Sequence, residues 1–414
     1  MNFGRRKNRR YTYYSSYSQA SRKKIRWDRI GVIAAGVVVV LAVVIFLNLS
    51  RIKLLIKGYS FGQQNDILSI ESQGVDEVLS HDKIEHIQSW IKTSKKYEYY
   101  DEYEKYYSLH KDQKVNVIVK TVDAMFDSYV PKLEALGYTN KEIWEVLKTA
   151  SVEDLEYLAK KQYTYAQIKP YMQVKGFKFT DMAKYMKVYA KKKNYNYAVL
   201  MTTYPFIDSK NKVTKNYEIQ DPDNILTLVK PGFNLSSSYQ PKDLVKPNMP
   251  IAPDCENYQL RKEAANALVK MYQDAQKEGY HLVINSAYRS YKKQEATYQS
   301  FEKKWGEIYA AEHVALPGSS EHQTGLGVDL TSQSVVKKEK LVFGDTQEYQ
   351  WTIKNAHKYG YILRFSEGES SITGIVHEPW HFRYVGKEAA KKIYENNWTL
   401  EEYCLYEGVI PQIK

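Results

Sequence analysis

Residues 320–329 read Ser-Glu-His-Gln-Thr-Gly-Leu-Gly-Val-Asp, and residues 377–385 read His-Glu-Pro-Trp-His-Phe-Arg-Tyr-Val. Each is a polar turn that runs into a strand-like stretch, Gly325–Leu330 in the first and His381–Val385 in the second. Leu282-Val283-Ile284 and Ile362-Leu363 have the same character. Helix-like segments at 291–301, 348–357 and 387–395 alternate with these strands. An amphipathic helix precedes them, with Ala264, Ala265, Leu268 and Met271 on one side and Gly279 as its stop. The alternation predicts an α+β domain over residues 254–414.

The same two stretches carry the chemistry, together with Ser286-Ala287-Tyr288-Arg289-Ser290. Residues 377–381 match H-E-x-x-H, which on a helix would set two histidines one turn apart on a zinc ion. Pro379 removes that helix, because it lacks an N–H and biases Glu378 towards extended geometry. In an extended chain His377 and His381 stand about 13 Å apart, at roughly 3.3 Å per residue, too far to share a metal bonded at about 2 Å. His381 is kept as the ligand and His377 released, since Glu378 can then approach the metal's water from the turn. His322 and Asp329, seven apart across a stretch containing Gly325 and Gly327, complete the set. Two nitrogens and one oxygen leave a fourth position for water, which marks a catalytic rather than a structural zinc site. A single histidine is ordinarily a packed or surface residue; three segments offering ligands, a base and a cation together outweigh that reading.

With those residues in view, about 250–404 resembles the VanY-type D-alanyl-D-alanine carboxypeptidases. These belong to the zinc peptidase superfamily that also holds lysostaphin-type enzymes and hedgehog domains. The pattern Tyr-Arg-Ser, then Ser-x-His-x-x-Gly-x-x-x-Asp, then Glu-x-x-His with Trp before the His, is present in full and in order. The resemblance implies a small antiparallel sheet flanked by helices and one Zn2+ per chain on His322, Asp329 and His381. It implies Glu378 as general base and acid, and Arg289 beside the substrate carboxylate or developing oxyanion. Gln294, Ser320 and Trp380 would face the substrate, although each also reads as a supporting or packing residue, Trp380 most of all as core. The implied reaction is hydrolysis of the C-terminal D-Ala from peptidoglycan stem peptides. An L,D-carboxypeptidase acting on tetrapeptide stems, an endopeptidase cutting cross-bridges and a non-catalytic wall-binding scaffold are the alternatives, and the intact ligand and base set argues against the scaffold. Two departures stand out. Gly327 replaces a frequent Ala, and 315–320 reads Ala-Leu-Pro-Gly-Ser-Ser without the usual Arg, which bears on substrate preference.

The remaining chain is organised around an anchor. Residues 30–47 carry no charge, and about 18 residues at about 1.5 Å each reach some 27 Å, close to a hydrocarbon core. A transmembrane helix is therefore expected over 30–49. Ten basic residues against one acid precede residue 30, so the tail 1–29, with its disordered Tyr-rich stretch, is expected in the cytoplasm and everything after about residue 50 outside. That tail supplies most of the net charge of +12, leaving about +3 elsewhere, so no nucleic acid partner is implied. Residues 50–205 read as extracytoplasmic short helices in loose repeat, a spacer or a docking surface for wall or protein partners. Thr139/Glu142 and Thr164/Gln167 form capping boxes there, Ser151/Asp154 a variant, and Gly58-Tyr59-Ser60 an earlier copy. Residues 206–253 read as a connecting segment with a short strand at 225–229. Cys255 and Cys404 bracket the catalytic segment and are expected to lie close enough to bridge, with two unpaired buried thiols as the alternative.

Overall fold

The computed structural model describes residues 27–204, 216–410 and 412–414. The basic tail and the start of the connecting segment lie outside the described residues. The chain divides into two compact units: one runs to Ser128 and takes in Leu147–Thr149, the other joins Tyr129–Val146 to Ala150–Lys414. Within helix Trp27–Leu47 the stretch Ile30–Leu47 is long and apolar enough to cross a membrane, and its apolar side chains are exposed.

From Leu49 to Thr203 the chain forms short helices. Their starts are set locally. Ser60, Ser151 and Thr164 each close a capping box with the residue three further on, and Thr139 and Glu142 exchange the same pair of bonds. Each box satisfies amide groups that a helix N-terminus leaves free. Ile143, Val146, Leu147, Leu155, Leu158 and Ile168 are buried, as their spacing requires.

The catalytic half opens with α1 (Lys262–Lys277), whose Ala264, Ala265, Leu268 and Met271 are buried, and the chain reverses at Gly279, φ +86°. Four strands follow: β1 (Leu282–Ser286), β2 (Gly327–Ser332), β3 (Tyr361–Leu363) and β4 (His381–Tyr384). They are ordered β1-β2-β4-β3, and every neighbouring pair is antiparallel. Around the sheet lie α2 (Tyr291–Trp305), α3 (Gln347–Asn355), α4 (Lys387–Asn396) and α5 (Leu400–Glu407). Strand alternation divides the side chains. Val328, Leu330, Phe382 and Tyr384 join the core that includes α1, while Asp329, His381 and Arg383 fall on the alternate positions. Full burial of Leu268 or Met271 contributes roughly 1.5–3 kcal/mol each.

Three expectations are corrected. Residues 225–229 form no strand; the Ile225 and Thr227 carbonyls instead accept hydrogen bonds from the Arg383 guanidinium, at 3.0 and 2.8 Å. Cys255 and Cys404 are free thiols: the first faces the Asn257 carbonyl in a loop, the second is fully buried in α5. Trp380 is not core but 39% exposed, because the turn at Pro379 breaks the alternation that buries Phe382. The connecting segment is also tied down. Ile219 bridges to Ile413, and Gln323 bonds the Ser236 and Tyr239 carbonyls. Helix Tyr195–Thr203 packs on α5, with Asn196 donating to the Tyr406 carbonyl at 3.1 Å and the Tyr197 and Tyr406 rings 4.8 Å apart.

Candidate active site

Sheet register brings the site together. Asp329 on β2 lies directly opposite His381 on β4 and, across a bulge in β1, opposite Ser286. Three segments far apart in sequence thus meet on adjacent strands. His322 comes from a turn of 3-10 helix, Glu321–Thr324, that ends at Gly325 with φ +67°. A Cβ at Gly325 would stand 2.8 Å from Leu244 Cδ2, so both conformation and space demand glycine there.

His322, Asp329 and His381 are buried, and one donor atom from each lies within 4.8 Å of the others. The histidines present different nitrogens. His322 Nδ1 sits 2.6 Å from the Ala287 carbonyl, which accepts only from an N–H, so Nε2 is left as the lone-pair nitrogen, 3.3 Å from Asp329 Oδ2. His381 Nδ1 lies 2.9 Å from Asp329 Oδ1, while its Nε2 faces Glu321 Oε2 at 3.3 Å. Two imidazoles, each oriented by an outer partner, and a carboxylate fit a borderline cation such as Zn2+. Burial opposes ionisation of Asp329, but the two histidines more than offset it and hold its carboxyl well below the usual range. Burial likewise opposes charge on His381, yet its bonds to Asp329 and Glu321 raise it to about 10. A cation entering the cluster would have to displace that proton.

Glu378 borders the cluster. Its carbonyl accepts from the His381 N–H at 3.2 Å, closing a turn over Pro379 that sets both side chains on one side, with Glu378 Oε2 3.9 Å from His381 Nδ1. Burial raises the Glu378 carboxyl, and the nearby Asp329 and Glu321 charges add to that rise, while both histidines oppose it. His377 points elsewhere: it is exposed, and its Nδ1 bonds the Phe365 carbonyl at 2.8 Å.

Arg289 follows β1, and its N–H bonds the His322 carbonyl at 3.2 Å. Its Nη1 and Nη2 donate to neutral oxygens, Gln294 Oε1 at 3.0 Å and Ser286 Oγ at 3.2 Å. Gln294, 1% exposed, has its other end on the Ala315 carbonyl at 2.7 Å, so it braces Arg289. Ser320 is buried just before the 3-10 turn, and Trp380 lies exposed beside Pro379, its carbonyl bonded by the Leu330 N–H.

Sequence reasoning passed over a buried ionic cluster behind His381. Glu321 Oε1 accepts from Arg364 Nε and Arg383 Nη1, both at 2.8 Å. Arg364 then makes a bidentate pair with Glu401 of α5, at 2.8 and 2.9 Å, and Lys230 lies 3.3 Å from Glu401. Arg383 was legible, because period-two alternation in His-Phe-Arg-Tyr sets it on the face of His381. Arg364 and Glu401 lie outside every motif.

Residues 257–387 match the family model for the VanY D-alanyl-D-alanine carboxypeptidases. Over 187 residues, 45% of this chain, the protein is 46% identical to YodJ of Bacillus subtilis (strain 168), and the match spans 68% of that relative. Over 187 residues, 44% of this chain, it is 34% identical to VanXYC of Enterococcus gallinarum, named a bifunctional D-Ala-D-Ala dipeptidase and D-Ala-D-Ala carboxypeptidase, and the match spans 95% of that relative. Among solved structures, the LdcB LD-carboxypeptidase is 43% identical, with 48% of this chain and 93% of that one covered and a TM-score of 0.44. By these relatives the chain belongs to the VanY D-alanyl-D-alanine carboxypeptidase family.

Proposed function

We propose that residues 254–414 are a zinc D-alanyl-D-alanine carboxypeptidase that removes the terminal D-Ala from peptidoglycan stem peptides, anchored outside the membrane by helix Trp27–Leu47. The observation that carries this reading is the joint placement of the buried His322, Asp329 and His381 cluster, the raised Glu378 carboxyl beside it, and an Arg289 guanidinium braced on neutral oxygens.

His322 Nε2, Asp329 and His381 Nδ1 would hold one Zn2+, which when bound supplies Lewis acidity to the scissile carbonyl and lowers the pKa of the attacking water. Glu378 takes the proton from that water and returns it to the departing D-Ala nitrogen. Its raised pKa suits both roles, since a weaker acid is a better base and still gives up the proton to an amine. Arg289 receives the free C-terminal carboxylate. A planar guanidinium matches a carboxylate's two oxygens, and its bonds to Gln294 and Ser286 fix its plane without neutralising it. Gln294 serves the substrate through Arg289, while Ser320 and the exposed Trp380 line the approach.

The test is mass spectrometry of muropeptides incubated with the full chain in detergent and zinc. Pentapeptide stems losing one D-Ala support the reading. Loss from tetrapeptides instead would make it an L,D-carboxypeptidase, cleavage of cross-linked dimers an endopeptidase, and no change a scaffold. Protease added to intact cells with a permeable wall should remove the catalytic half, and its full protection would overturn the topology.

A further inference from the structure

We infer that Glu321 is a positioning residue for the metal centre: locked by Arg364 and Arg383, its carboxylate holds the Nε2 edge of His381 and turns Nδ1 towards Asp329. The inference rests on the zinc reading above.

The two histidines of the cluster are oriented by different partners. His322 is fixed by a backbone carbonyl, which cannot move without the chain. His381 is fixed by a side chain, and a carboxylate on three rotatable bonds orients nothing unless it is itself held. Here it is. Glu321 Oε1 takes one hydrogen bond from each of two guanidiniums, which leaves Oε2 towards His381 at 3.3 Å. Arg364 cannot swing away, because its other face is forked onto Glu401. Arg383 is pinned through Nη2 to the Ile225 and Thr227 carbonyls. Both arginines are fully buried, an arrangement that burial of charge makes costly and that a well-packed apolar pair could replace for stability alone.

A charged acceptor also does what a carbonyl does less well. It favours the tautomer with hydrogen on Nε2, frees the Nδ1 lone pair for a cation and makes that nitrogen a stronger donor. Gly327 gives the arrangement room. A Cβ there would stand 3.2 and 3.3 Å from His381 Cε1 and Nε2, on the edge that Glu321 holds.

The rival account is that the cluster merely ties α5 to the sheet. Glu401 separates the two, since it belongs to the same cluster but does not touch His381. The experiment compares wild type, Glu321→Gln and Glu401→Gln as full chains in detergent. Zinc affinity is read by competition with a chromophoric chelator, and the unfolding midpoint is read after chelator treatment. Both variants should lower the midpoint. Glu321→Gln should bind zinc about 10–100-fold more weakly, the scale of losing an outer partner of a metal ligand, while Glu401→Gln should stay within about threefold of wild type. Wild-type affinity in Glu321→Gln, or equal losses in both, overturns the proposal. Wild type that takes up no zinc removes the metal reading itself. Should Glu321→Gln not fold, long-range 15N–1H correlation on zinc-loaded, histidine-labelled wild type decides: His381 must carry hydrogen on Nε2, and a metal-bound Nε2 overturns the proposal.

Discussion

The helical unit that ends at Ser128 and the catalytic sheet bury polar groups in opposite ways. In the helical unit the Tyr59 hydroxyl accepts from the Ile84 N–H at 2.9 Å, Trp90 Nε1 donates to Glu104 at 2.9 Å, and the Tyr103 hydroxyl donates to Asp123. The neutral ring is inside and the charge stays near the surface; burial keeps Tyr59 and Tyr103 neutral by raising them. In the catalytic half the charges themselves are inside, as Glu321, Arg364, Arg383 and Glu401. Neutral anchors cost little to desolvate and serve shape. Buried ions carry a desolvation cost that a well-packed apolar pair would avoid, and here they stand directly behind His381 of the metal cluster.

The largest expected effect lies at Glu378. Glu321, Asp329 and Glu401 are all held below the ordinary carboxylate range by neighbouring basic side chains, whereas Glu378 is raised by burial beside like charges. Opposed shifts within one site separate structural from chemical carboxylates. Glu378→Gln should keep zinc and stem-peptide binding while turnover falls by about 10²–10⁴. Zinc loss would make Glu378 a ligand, and near-normal turnover would remove it from the reaction. In wild type, kcat/KM should fall as pH drops through a value above 4.5, because protonation disables the base.

Next comes Arg364→Met, which leaves two buried carboxylates each short of a partner and should cost about 3–5 kcal/mol in urea unfolding at pH 7. The loss is pH-dependent. Burial opposes charge on Glu401, but Arg364 and Lys230 offset it and hold the folded pKa below 4.5. Its contribution is therefore complete above the unfolded value and lost as pH falls through the lower folded one. The gap between wild type and variant should accordingly narrow on acidification, beginning above about pH 4.5, because burial raises a carboxyl that has lost its arginine and protonation then relieves it, and continuing below as the wild-type pair is lost. A constant gap would mean that packing, not charge, carries the arginine's contribution.

How much of this could be read beforehand follows the range of the interactions. The strands at 282–284, 327–330 and 381–384 were legible because alternation and flanking glycines are local signals, and so were the capping boxes, which span three residues. That the candidate site residues would meet was legible for a related reason: the motif words contain Arg289, His322, Asp329, Glu378 and His381, and sheet register brings their segments together. Residues 225–229 misled because an apolar run looks alike whether its carbonyls face a strand or a guanidinium. The cysteine pairing misled because bracketing a domain in sequence says nothing about distance across it. Glu321 stood inside the motif and was still missed, since its role depends on Arg364 and Glu401, whose approach only the folded chain reveals.

Tyr103→Phe tests the other side of the comparison. The ring of Tyr103 is fully buried, and its hydroxyl reaches Asp123, a side chain 27% exposed, and lies 3.0 Å from Ser94 Oγ. Removing the hydroxyl leaves Asp123 solvated rather than stranded, so the cost should be about 1 kcal/mol. A loss as large as that of Arg364→Met would show that the helical unit also depends on buried polar bonds.

The smallest effect is expected at the rim of the same unit, where Ser60 caps the helix Phe61–Leu68. Ser60 Oγ accepts from the Gln63 N–H at 3.3 Å, and Gln63 Oε1 accepts from the Ser60 N–H at 3.0 Å. Ser60→Ala removes the first bond and keeps the second, because Gln63 reaches the backbone and not the side chain. The amide freed at Gln63 is at an exposed position and can turn to water. The cost should therefore sit at the low end of the capping range, about 0.5 kcal/mol, and Ser60→Asp should restore it, since a carboxylate there also meets the positive end of the helix. Urea midpoints of the helical unit's transition check both. If Ser60→Ala cost as much as Tyr103→Phe, a surface cap would count as heavily as a buried hydroxyl, and the line drawn between the inside and the rim of this unit would be in the wrong place.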